Sequence, residues 1–116
     1  MGAAAASPAN AAVVPNSASG CNLNGWACIS VNGSGLHVNW VEASTQGNFT
    51  GHYRIYNTIA GWSSSSSVKV WIARQFGGSP WHLTINANQP NNSRICVSAY
   101  DSSNRMLGNA CETIHS

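Results

Sequence analysis

Apolar and polar residues alternate with a period of two along most of this chain, and no stretch sustains an apolar stripe at helical spacing. Leu36, Val38 and Trp40 alternate with His37, Asn39 and Val41; Phe49, Gly51, Tyr53 and Ile55 alternate with Thr50, His52, Arg54 and Tyr56. Successive side chains of an extended strand point to opposite faces, so each run predicts a half-buried strand. Val68-Val70-Ile72, Trp81-Leu83-Ile85 and Ile95-Val97-Ala99 repeat the pattern with β-branched and aromatic types, Met106 to Ile114 supplies a return strand, and Trp26 to Val31 opens the series. Turn chemistry separates the runs at Asn32-Gly33-Ser34-Gly35, Ala60-Gly61-Trp62, Gly77-Gly78-Ser79-Pro80 and Gln89-Pro90-Asn91-Asn92. The expected fold is all-β, a small antiparallel β-sandwich or barrel of about seven strands. The serine run Ser63 to Ser67 reads as a solvent loop.

With 116 residues the chain has room for one small domain. Its four cysteines, Cys21, Cys28, Cys96 and Cys111, are an even count in a short chain, which reads as two disulfides out of three possible connectivities. The sequence-local pairs are favoured. Asn22 to Ala27 can turn between the first two, and a hairpin centred between Ser103 and Asn104 sets Cys96 opposite Cys111 at a separation a disulfide tolerates. The six-residue gap between Cys21 and Cys28 lacks the tight spacing of a zinc knuckle, so no metal or other cofactor is expected.

Residues 1–20 carry Ala, Pro, Asn, Ser and Gly with no charge and no periodicity, and predict a flexible arm ahead of a folded domain at 21–116. Ala9-Asn10-Ala11 fits the small-x-small pattern of signal peptidase, with neither a basic n-region nor an apolar h-region before it. The opening therefore reads as the tail of a secretion signal, consistent with the cysteines. Within the arm, Val13, Val14 and Pro15 form an apolar cluster that a partner's groove or sheet edge can capture.

Only 7% of residues are charged and the formal net charge is +2. That field is too weak to grip a phosphate backbone, and no stretch approaches the ~20 apolar residues of a spanning helix, so neither nucleic acid nor membrane is an expected partner. Catalysis is not expected either. No Gly-x-Ser-x-Gly elbow is present, and the whole carboxylate supply is Glu42, Asp101 and Glu112, with no pattern that pairs two of them across a cleft. His37, His52 and His82 each lie between apolar positions and face outward; they would make a metal site only on one sheet surface.

Binding is what remains. Five tryptophans are many for this length: Trp40 and Trp81 fall on the apolar faces of their strands, whereas Trp62 sits in a loop and Trp71 lies opposite Val68, Val70 and Ile72 in the alternation. Trp62 and Trp71 are thus candidate exposed contacts for a protein or a sugar, unless the strand of Trp71 is buried on both faces. Open sheet edges offer a second mode, strand addition. Protease inhibition is a third, with Arg74 and Phe76 in one loop and Arg105 in another as candidate anchors.

Cys21 and Cys28 followed by Val31-Asn32-Gly33-Ser34-Gly35-Leu36, then Gly51-His52-Tyr53-Arg54-Ile55-Tyr56 and Cys111-Glu112-Thr113-Ile114-His115, resemble small exported proteins of Streptomyces and related actinomycetes over residues 21–116. Among these, the features suit the adaptor subunits of umbrella toxin particles. The resemblance implies a non-enzymatic secreted module joining other secreted proteins, its arm in a lectin-bearing subunit and its body on a toxin-carrying stalk. The N-terminal half also resembles actinomycete crystallin-like metalloprotease inhibitors, which share an early cysteine pair and a glycine-rich turn, although the later cysteine spacing departs from them.

Overall fold

A computed structural model describes residues 17–116. Val13, Val14 and Pro15 lie outside the described residues. Among the described residues nine strands form two antiparallel sheets: β1 (Ser17–Cys21), β2 (Cys28–Ser34), β3 (His37–Ser44) and β7 (Trp81–Asn88) in one; β4 (Phe49–Asn57), β5 (Trp62–Ser65), β6 (Lys69–Trp71), β8 (Ser93–Asp101) and β9 (Met106–Ile114) in the other. The first sheet runs β1-β2-β3-β7. In the second, β8 lies between β4 and β9, while β5 and β6 share the other side of β4, as two pieces of one broken edge strand. Ile29, Val31, Val38 and Val41 from the first sheet meet Tyr53, Ile55, Ile95 and Val97 from the second, all buried. Both favoured disulfides are present, Cys21–Cys28 and Cys96–Cys111, each with Cα atoms 4.0 Å apart. Cys96 stands directly opposite Cys111 in the β8–β9 ladder.

All seven expected strands are present, and two form where none was expected. Ser17–Cys21 pairs with β2, so the ordered body reaches into the stretch read as an arm. The serine run also enters the sheet instead of forming a solvent loop, with Trp62 to Ser65 opposing Asn57 to Arg54. Serine has low strand propensity, but the turn before it is imposed: Asn57 Oδ1 accepts from the backbone N–H groups of Ile59 and Ala60, and Gly61, at φ 81°, donates to the Asn57 carbonyl.

Two tryptophans occupy the face opposite to expectation. The alternation of β3 slips by one at Asn39, where its registers with β2 and β7 both shift. A bulge residue reverses the phase of everything after it. Val38 therefore points inward, but so do Val41 and Ala43, and Trp40 turns outward against His82 with ring centroids 5.1 Å apart.

Trp71 is corrected in the other sense. It is 4% exposed, while Val68, Val70 and Ile72 are 64, 58 and 41% exposed. The reason lies in the neighbouring strand. Trp71 stands opposite the inward-facing Phe49 of β4, and its indole lies over that strand, donating from Nε1 to the Gly51 carbonyl at 3.0 Å with its ring centroid 4.7 Å from that of Tyr53. A buried aromatic side chain with a ring partner and a satisfied indole N–H outweighs the alternation of three aliphatic residues at an edge.

Candidate binding cleft

The two sheets close on each other along β1 and β9 and stay open along β5 and β7. The openness follows from side-chain size. On β7 the inward residues Trp81, Leu83 and Ile85 are large, but β5 presents Trp62 and then Ser64, too small to cover them. Leu83 and Ile85 stay partly exposed, and a cleft of about 370 Å³ runs between the strands, floored by Trp62, Leu83, Ile85 and Ala87 and rimmed by Thr84 and Asn88. No charged side chain lines it. Each sheet ends at this opening, so the outer edges of β5 and β7 have no strand partner among the described residues.

A buried amide network braces the cleft. Gln89, 4% exposed, accepts on Oε1 from the Trp62 indole Nε1 and from Asn57 Nδ2, both at 3.0 Å, and Asn57 Nδ2 also donates to Ser93 Oγ at 2.9 Å. The backbone N–H of Gln89 donates to the Leu36 carbonyl at 2.8 Å, tying the end of β7 to the β2–β3 turn. Asn57, fully buried, thus both shapes the turn before Trp62 and fixes the indole's partner. Asn57→Ala takes one donor from Gln89 and one from Ser93 and strands two backbone N–H groups, and is expected to cost about 2–4 kcal/mol. Urea unfolding measures the loss.

The titratable groups lie elsewhere. Glu42, on the outer face of the first sheet, accepts from His82 Nδ1 at 2.9 Å and lies 3.8 Å from Arg74. Asp101 accepts from the backbone N–H groups of Arg105 and Ser103 and from the Arg105 guanidinium, and the Arg105 N–H above all holds its carboxyl below the ordinary range. Glu112 is buried on β9. Burial pushes the Tyr53 phenol up. His37 and His82 sit on the first sheet, and His52 on the second, stacked on Tyr100 with centroids 5.0 Å apart. No group of three or more His, Cys, Asp or Glu converges among the described residues.

No protein-family model, curated protein or solved structure matches the chain.

Of the residues singled out from the sequence, Trp62 alone lies in the cleft. Trp71 presents no exposed ring. Arg74 and Phe76 belong to a short 3₁₀ turn, Arg74–Phe76, closed by Gly77 at φ 84° and pinned where Arg74 N–H donates to the Thr45 carbonyl. Phe76 is 72% exposed. Arg105 lies in the β8–β9 turn, ion-paired with Asp101 at 3.3 Å. The sequence reading missed Leu83, Ile85, Asn57 and Gln89. The available signal was Trp62 followed by serines: a strand with small residues at inward positions leaves its opposite number uncovered.

Proposed function

We propose that the protein is a secreted, non-enzymatic adaptor that holds an extended, uncharged segment of another secreted protein in the cleft between β5 and β7, while residues 1–16 engage a second partner. The carrying observation is the cleft itself: an apolar floor left half-exposed between two unpaired strand edges. An added strand would pair its backbone with either edge and place alternate side chains over Leu83 and Ile85, the usual recognition mode of an open sheet. The two disulfides suit an oxidising compartment. The resemblance to umbrella-particle adaptors agrees with a role in joining subunits.

Capture from the culture medium of the producing organism tests this. The full chain should recover two partners, and the chain 17–116 should lose one of them. Ser64→Trp fills the cleft without removing core volume, and should weaken the other by at least about tenfold while leaving the melting temperature nearly unchanged. Recovery of nothing by the full chain, or unchanged capture by Ser64→Trp, sinks the reading.

A second reading, protease inhibition, draws on one observation: Phe76 stands out beside Arg74 on a turn held at both ends. Absence of inhibition of trypsin-, subtilisin- and thermolysin-like proteases at near-equimolar protein removes it.

A further inference from the structure

On the closed side of the sandwich, β1 packs against β9 where the two sheets meet. Glu112 sits in that seam. It takes an inward position of β9 between Ala110 and Ile114 and is 5% exposed. None of the described residues offers it a hydrogen bond or an ion pair. A Cβ built on Gly20 of β1 would stand 3.2 Å from Glu112 Oε2, so the carboxyl lies directly against the β1 backbone. A buried carboxylate without partners is costly, and its cheapest relief is to hold a proton or to reach water.

β1 is the element that can give way. It is five residues long, pairs among the described residues only with β2, and is cross-linked at Cys21 alone, through the disulfide to Cys28. It is also the strand by which residues 1–16 join the folded body. We propose that Glu112 makes the β1–β9 seam a proton-controlled latch: with the carboxyl protonated β1 stays docked, and as the carboxylate forms the Ser17–Gly20 end peels away from both β9 and its β2 ladder while Cys21 remains tethered.

The groups around Glu112 leave it this role. Of the elements packed on β9, β1 and β2 carry no titratable side chain besides disulfide cysteines, and β8 contributes Arg94, exposed and next to Ile95, the residue opposite Glu112. Burial raises the Glu112 carboxyl from the ordinary 4.5 to about 7, with Arg94 pulling the other way. Docked Glu112 holds its proton to higher pH than undocked Glu112, so docking is favoured in full below about pH 4.5, weakens as pH rises toward 7, and levels off above it.

Amide hydrogen exchange of the full chain, corrected for intrinsic rates, should show β1 protection falling by about 50-fold from pH 5 to pH 8, with β4 and β8 changing far less. Glu112→Gln and Glu112→Leu should each flatten that dependence, two variants guarding against one that packs badly. Gly20→Ala, which presses a methyl on the carboxyl, should loosen β1 at both pH values. Equal β1 protection at pH 5 and pH 8, or a pH dependence that survives in a folded Glu112 variant, overturns the latch. Neither result bears on capture by the β5–β7 cleft.

Discussion

Gly51→Ala is expected to yield no stably folded protein. A methyl at this position would stand 1.8 Å from the Tyr100 carbonyl oxygen and 2.8 Å from its carbon, both backbone atoms of the adjacent strand β8. Neither strand can retreat. Gly51 has φ 157°, a conformation glycine adopts freely, and β4 is hydrogen-bonded to β8 on one side and to β5 and β6 on the other. Moving β4 away would open the ladder in the middle of the second sheet. The cost exceeds about 4 kcal/mol, a large part of the ~5–15 kcal/mol that stabilises a small domain. Circular dichroism and thermal melting of whatever soluble protein is recovered would decide it. A melting temperature near that of the parent would mean that Gly51 does not lie against Tyr100.

Trp71→Ala is the second large effect. The indole is almost fully buried, rests on Tyr53, and carries a hydrogen bond to the Gly51 carbonyl. Truncation should cost about 3–5 kcal/mol, from lost transfer energy and the cavity left beside Tyr53. Trp71→Phe keeps most of the packing but loses the N–H donor, and should cost about 1–2 kcal/mol less than the alanine variant. Val70→Ala on the same strand should change stability by no more than about 0.5 kcal/mol, because that side chain faces solvent. Urea titration of the three variants measures which face of β6 is the core. If Val70→Ala costs more than Trp71→Ala, β6 is turned the other way.

The sequence-level errors share a cause with the cleft. Period-two alternation reports which residues share a face; it does not say which face is buried. For β4 and β8 one face is plainly apolar and the question does not arise. For β6 the aliphatic row Val68, Val70 and Ile72 and the lone Trp71 compete, and the winner depends on the Tyr53 ring and the Gly51 carbonyl, distant in sequence and adjacent only after β4 and β6 pair. For β3 the alternation is clear on both sides of Asn39, but the bulge between them needs both flanking strands to be in place. The cleft likewise arises from Ser64 facing Leu83 and Ile85, a pairing across two sheets that no local pattern contains.

The cysteine hairpin was legible because its geometry is local, although the turn is centred on Ser103 and not between Ser103 and Asn104: Tyr100 pairs with Met106, and a bulge before the Ala99–Gly108 pair restores the register that sets Cys96 opposite Cys111. Asn57 shows the opposite case. As a polar residue at the end of an apolar strand it looks like a turn former, which it is, but its second role with Gln89 and Ser93 spans more than 30 positions of sequence.

Period, turn residues and cysteine spacing are short-range properties, so the amino-acid order alone determined an antiparallel all-β fold, seven of its strands and both cross-links. Burial is a property of pairs of surfaces. Which face each edge strand turns inward, where the sheets fail to meet, and which carboxyl ends up against a neighbouring backbone were decided only when strands far apart in the chain came into contact.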